Sequence, residues 1–155
     1  MNETDNVRRV AIGADHSSVQ QKATLKSFLE ALGYIVSDVG THGTDKVDYP
    51  DIAVAVCRKV VNGECDRGIV LDGAGIGSCM AANKIRGIRA ALCYDLRTVV
   101  NSREHNNANV LTLGGPLHGI DEICEMAKTW LAARFGGGRH IVRINKIMKL
   151  ERGGE

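Results

Sequence analysis

The sequence predicts an α/β fold with a five-stranded parallel sheet covered by helices on both sides. Three observations predict it. Short apolar runs of strand length alternate five times with longer stretches that have helical periodicity. The connections between successive runs are long enough to hold a helix, as a crossover between parallel strands requires. Four of the runs open directly into polar or glycine-rich turns, at Asp15-His16, Asp72-Gly73, Tyr94-Asp95 and Gly114-Gly115. In a parallel sheet those four turns collect at one edge, beyond the carboxyl ends of the strands, where such folds bind ligands.

The first strand is expected over 7–13 (VRRVAIG), with Ser17 or Ser18 able to cap the helix that follows. Val19, Ala23, Leu25, Phe28, Leu29 and Leu32 share one face of that helix, and Gly33 closes it. Residues 34–39 alternate as a second strand, and 40–49 form a polar loop. Pro50 suits the first turn of a helix that runs to Val61 and ends at Asn62-Gly63. Residues 67–71 form the third strand, leading into Asp72-Gly73-Ala74-Gly75-Ile76-Gly77 and a short helix through Lys84. A fourth strand is expected over 88–93. Asp95 can cap a helix toward Arg103, and a fifth strand spans 108–113. Residues 120–135 form an amphipathic helix containing Trp130. After Gly136-Gly137-Gly138 comes a basic terminal helix over 139–151, with Ile141, Ile144, Ile147 and Met148 on one face. That stripe suits either a neighbouring subunit or the chain's own core.

The 155 residues read as one domain, 1–155, with a loose amino terminus over 1–6. Hydrophobic residues make up 44% and charged residues 25%, an ordinary balance for a globular chain. A formal charge of +2 without a basic run argues against a nucleic-acid binder, and 4% aromatic content against a base-stacking platform. No stretch has the length and apolarity to span a membrane. The five cysteines contain no C-x-x-C and no zinc spacing, which fits reduced thiols and a cytoplasmic setting.

The chemistry centres on 68–84. A strand that runs into glycines and then a helix can hold an anion on outward-pointing amides. Asp72 stands at the end of that strand. It can be a general base, or an acid that fixes the turn; the residues leave both open. His105 lies in the polar cluster Ser102-Arg103-Glu104-His105-Asn106-Asn107, and His16 directly follows a strand. Arg139 and Arg143, at i and i+4, lie side by side and could grip a phosphate or form a solvated basic face. Cys79 is the one thiol placed to react.

Taken together, these pieces resemble the ribose-5-phosphate isomerase B family, which includes the subunits of galactose-6-phosphate isomerase. The matching motifs are Gly13-Ala14-Asp15-His16, Asp48-Tyr49-Pro50, 68–77, Ala81-Ala82-Asn83-Lys84, Gly87-Ile88-Arg89-Ala90, 102–107 and Gly137-Gly138-Arg139-His140. They occur in the family's order from about Arg9 to Leu150.

The resemblance implies a Rossmann-like three-layer sandwich that forms homodimers or tetramers with active sites shared between subunits. The terminal helix would pack on the partner. It implies aldose–ketose isomerisation of a phosphorylated sugar through a cis-enediolate, without metal or cofactor. Pentose 5-phosphate is the default substrate, with a tetrose or hexose phosphate as other members of the class. By the resemblance a base acts at position 72, where the carboxylate of Asp72 could serve, and His105 would assist ring opening. Asp15, Tyr49 and Asn106 would line the sugar. Gly73, Ala74, Gly75, Ile76 and Gly77 would face the enediolate. His16, Arg139 and Arg143 would contact the phosphate. Two features depart from the pattern: the base and one arginine. Asp72 stands where the family's catalytic cysteine is usual, and Ser78 where other members carry a glutamate; Pro116 replaces an arginine. Asp72 and Pro116 resemble the A-type galactose-6-phosphate isomerase subunit, which works with a B-type partner chain. Asp15-His16 and Tyr49-Pro50 favour a self-sufficient enzyme instead.

Overall fold

In the computed structural model, which describes residues 6–153, all five strands pair in parallel in the order β2-β1-β3-β5-β4. The strands are β1 (Arg9–Ala14), β2 (Ile35–Asp38), β3 (Arg67–Asp72), β4 (Ala90–Leu92) and β5 (Val110–Gly114). The helices are α1 (Val19–Ala31), α2 (Tyr49–Val61), α3 (Ile76–Ala82), α4 (Leu96–Glu104), α5 (Ile120–Ala132) and α6 (Arg139–Glu151), with a 3₁₀ turn over Gly115–Leu117. The expected loose terminus over 1–6 lies outside the described residues, apart from Asn6.

Alternation along each strand divides the core in two. Val10, Ile12, Ile69, Leu71, Leu111 and Leu113 face Leu25, Leu29, Ile123, Met126 and Trp130 of α1 and α5. Ala11, Val70 and Val110 face Ala53, Val56 and Cys57 of α2 and Ala82 of α3. The central strand β3 is buried throughout, which explains why its sequence reads as an unbroken apolar run. Its first residue, Arg67, is charged, buried and satisfied internally. Arg67 Nη1 donates to the carbonyls of Trp130 and Leu131 at 3.0 and 3.3 Å, at the carboxyl end of α5. Gly68 makes room for α2: a Cβ there would lie 2.5 Å from Val56 Cγ1.

The connections reverse direction at β1. α1 carries the chain outward to β2, and α2 carries it back across the opposite face to β3. The crevice beyond the carboxyl ends of β1 and β3 is therefore the topological switch point.

Several boundaries differ from expectation. The fourth strand shrinks to three residues because it is an edge, paired only with β5 at Ala90, Ala91 and Leu92. α5 stops at Ala132, where Ala133 turns extended and Gly136 N–H donates to the Glu104 carbonyl at 2.9 Å. Ser18 stands at the N-cap of α1 but does not cap it; its hydroxyl donates across to the Asp72 carbonyl at 3.2 Å. Asp95 does cap α4, accepting from Thr98 N at 2.7 Å within a capping box. α6 buries only Ile144 and touches its own chain through Met148, near Arg89 Nη1, and Glu151, which accepts from Gly87 N at 2.7 Å. Ile141, Val142, Ile147 and Leu150 remain exposed on it. No helix among the described residues is long and apolar enough to cross a membrane.

One buried ion pair ties the sheet edge to the loop that follows. Lys22 on α1, 1% exposed, donates to Asp38 Oδ1 at 2.5 Å, and the same oxygen accepts from Gly40 N at 3.0 Å. The Gly40 carbonyl in turn accepts from Ala14 N at 2.8 Å. Removing one partner of such a pair strands the other charge away from water. Lys22→Ala is expected to lower the unfolding free energy by about 3 kcal/mol or more, and Lys22→Met combined with Asp38→Leu to lower it by much less. Urea titration of the two variants checks this.

Candidate active site

The switch-point crevice is built around the carboxylate of Asp72, which is 4% exposed at the end of β3. Its Oδ1 accepts from the amides of Ala74, at 3.1 Å, and Gly75. Its Oδ2 accepts from the Ser78 amide at 3.1 Å and the Ser78 hydroxyl at 2.5 Å. A carboxylate has about four lone-pair directions, and all of them are met from within the loop. Of the two roles open to Asp72 in the sequence, this geometry is that of the acid that fixes the turn.

The loop that Asp72 gathers is held on its other side as well. Gly75 has φ +75°, a left-handed conformation that glycine adopts without strain, and its carbonyl accepts from Thr112 Oγ1 at 2.8 Å. Gly114 and Gly115 of the second glycine turn leave space for neighbours. A Cβ on Gly114 would lie 2.9 Å from Ala74 Cα, and one on Gly115 would strike Ser18. Among the described residues, the amides of Gly73, Ile76 and Gly77 have no hydrogen-bond partner. Thus the loop donates three amides to Asp72 and leaves three for a ligand. Tyr49, at the start of α2 and 40% exposed, lies directly over Gly77; a Cβ there would be 2.5 Å from its Oη.

Asp15 and His16 face the same crevice from β1. The Asp15 amide donates to the Leu71 carbonyl at 3.1 Å, extending the β1–β3 ladder to the crevice edge. Its Oδ1 accepts from Ser17 N at 2.9 Å and Ser17 Oγ at 2.6 Å. His16 Nδ1 accepts from Val47 N at 3.3 Å, so the neutral ring carries its proton on Nε2 and can donate it to a ligand.

The remaining predicted residues are elsewhere. His105 ends α4, and Ala108 N–H donates to Ser102 O as the chain turns into the amino end of β5. This second cluster lies at the opposite edge of the sheet, about 15 Å away across the five residues of β5. There His105 stacks on His140, with centroids 4.3 Å apart and planes at 13°, and its Nδ1 meets Asn101 Nδ2 at 2.9 Å. Asn106 Nδ2 donates to the Asn101 carbonyl at 3.3 Å. Arg139 and Arg143 lie on the same first turns of α6 as His140. Desolvation, then the charges of His105, Arg139 and Arg143, hold the His140 imidazole below its usual range.

Sequence reasoning missed Ser17, Ser18, Ser78 and Thr112, which hold the crevice. Only Ser78 had a signal, since an acid followed by closely spaced glycines invites side-chain-to-backbone turn bonds. Cys79 is occupied locally, its Sγ 3.5 Å from the Ala90 carbonyl. All five thiols are free, and burial pushes Cys57 up to about 12.

Placing a methyl on Gly77 forces the Tyr49 ring aside. Gly77→Ala is expected to cost about 1 kcal/mol or more through overpacking. The cost should largely vanish in a Tyr49→Ala background, as a double-mutant cycle of thermal melts would report.

Residues 10–147 match a family model described as Ribose/Galactose Isomerase. The chain is 37% identical to ribose-5-phosphate isomerase B of Escherichia coli, covering 94% of this chain and 97% of that one. It is 38% identical to D-erythrulose-4-phosphate isomerase of Pectobacterium atrosepticum, over 89% and 91% of the two chains. The solved ribose-5-phosphate isomerase B of Clostridium thermocellum superposes with a TM-score of 0.92 at 47% identity, covering 94% of this chain and 98% of that one.

Proposed function

The chain belongs to the ribose/galactose isomerase family and is a sugar-phosphate isomerase, and we propose that it interconverts an aldose and a ketose phosphate through a cis-enediolate bound at the switch-point loop. The observation that carries this reading is the Asp72-organised loop with its three open amides under Tyr49. Preoriented amides stabilise an enediolate oxygen without reorganising at the moment of reaction, so the step calls for no metal. Asp15 and Tyr49 line the sugar, and His16 donates to the phosphate.

The second cluster supplies what the crevice lacks. His105, Asn106, Arg139 and Arg143 bring cations and a ring-opening acid, yet they sit at the wrong edge of their own sheet. We take them to serve a partner's crevice in a symmetric dimer, so that each site draws on two chains. Exposed Ile141, Val142, Ile147 and Leu150 on α6 supply the apolar face such a dimer buries. With Pro116 in place of a cation, the two arginines and His16 carry the phosphate.

The substrate is a pentose 5-phosphate or the shorter tetrulose 4-phosphate, the two named by the relatives of Escherichia coli and Pectobacterium atrosepticum being the first to assay. Turnover of ribose 5-phosphate, erythrulose 4-phosphate and hexose 6-phosphates by the purified chain is expected for at least one of them. A second reading rests on the fully engaged Asp72 carboxylate: a non-catalytic subunit that binds sugar phosphate and works only with a B-type chain. Binding without turnover or solvent exchange of the substrate's C2 proton would support it.

The shared site makes a separate prediction. His105→Ala and Tyr49→Ala proteins are each expected to be nearly inactive. Mixed in equal amounts and allowed to exchange subunits, they should recover about a quarter of wild-type activity, because half the dimers then hold one intact site. No recovery despite exchange would place both clusters in one chain's site.

A further inference from the structure

Resting on that reading, we propose that Asp15, and not Asp72, is the base that moves the carbon-bound proton. Both carboxylates border the crevice, and their environments differ in one decisive respect. Asp72 has all its acceptor directions filled by Ala74, Gly75 and Ser78. Asp15 is 7% exposed and has only Oδ1 engaged, by the amide and hydroxyl of Ser17. Its Oδ2 has no hydrogen-bond partner among the described residues. No fully enclosed side-chain oxygen or nitrogen in the described residues lacks a partner, so this oxygen keeps an opening to solvent. A carboxylate sunk in the protein wall with one oxygen clamped and the other open is oriented to receive a proton.

Its position suits the task. Ser17 Oγ lies 3.3 Å from Ser18 Oγ, and Ser18 Oγ donates to the Asp72 carbonyl at 3.2 Å. The serines thus connect the Asp15 carboxylate to the first residue of the glycine loop. On the backbone, Asp15 N–H reaches the Leu71 carbonyl, one residue before Asp72. A sugar carbon whose oxygen rests on the loop amides is therefore flanked by Asp15 across the switch point.

The step balances with no further reactant. Asp15 Oδ2 takes the proton from C2 of the aldose phosphate, and the C–H electron pair becomes the C1–C2 double bond. The carbonyl π pair moves onto O1, which the loop amides hold. The hydroxyl proton then passes from O2 to O1, C2 becomes the carbonyl carbon, and Asp15 returns its proton to C1.

The test follows deuterium entering the substrate from D₂O by proton NMR, using whichever sugar phosphate the wild type turns over. Asp15→Asn keeps an oxygen for Ser17 and is expected to lose at least ~10²-fold in kcat and in exchange, while its Kd for the same sugar phosphate changes little. Asp15→Ala should regain at least tenfold activity on added formate, which a merely structural role would not give. Exchange by Asp15→Asn within tenfold of wild type overturns the proposal. So does an Asp15→Ala that formate leaves unchanged. If both Asp15 variants fail to fold, the residue is structural and the proposal also falls. A wild type that turns over no sugar phosphate refutes the isomerase reading itself, a result distinct from all of these.

Discussion

The crevice depends on the satisfaction of one buried charge. A carboxylate at the end of a fully buried strand is tolerable only if donors replace the water it has lost. Asp72 obtains them by drawing the amides of Ala74, Gly75 and Ser78 and the Ser78 hydroxyl onto itself. That demand dictates the loop's path. It sends Gly75 into the left-handed region, sets Gly77 beneath Tyr49, and leaves the amides of Gly73, Ile76 and Gly77 unpaired among the described residues. The open amides are a by-product of satisfying Asp72, which makes the acid an architect of this loop before it is anything else.

The sheet imposes the second constraint. Parallel strands send every loop of one kind to one edge, so β1 and β3 deliver Asp15, His16 and the glycine loop together. The residues that end α4 and begin α6 necessarily return to the other edge. Neither cluster has both an anion-holding loop and a concentration of cations. The proposed dimer unites them by symmetry, and the exposed apolar stripe of α6 is consistent with a helix whose main packing partner lies outside the chain. The same division separates two kinds of carboxylate: one closed by its own loop, and one, Asp15, left half open at the crevice wall.

Much of the fold was legible in the residues. Alternation of strand-length and helix-length periods gave the parallel sheet, and the order of polar turns gave the ligand-binding edge. Boundaries failed where tertiary contacts intervened. The run at 88–93 has strand composition throughout but pairs over only three residues, because an edge strand is limited by its single neighbour. Ser18 has the identity and position of a helix cap, and its hydroxyl is taken by a carbonyl from a strand distant in sequence. Lys22 is buried on α1, and its partner, Asp38, comes from another element distant in sequence.

By itself, the sequence determined the class of fold, the family motifs and the set of polar residues from which a site could be made. Those follow from short-range periodicity and from residue chemistry, which travel with the chain. Only the tertiary structure decided which polar atoms are used up internally and which stay open. Asp15 and Asp72 are the same residue type, each following an apolar strand. Their difference arises from hydrogen bonds: a glycine loop can close around one carboxylate, while Ser17 reaches only one oxygen of the other. The glycine loop first read as an anion cradle is, in the folded protein, a cradle for its own Asp72 that leaves part of its surface for a ligand.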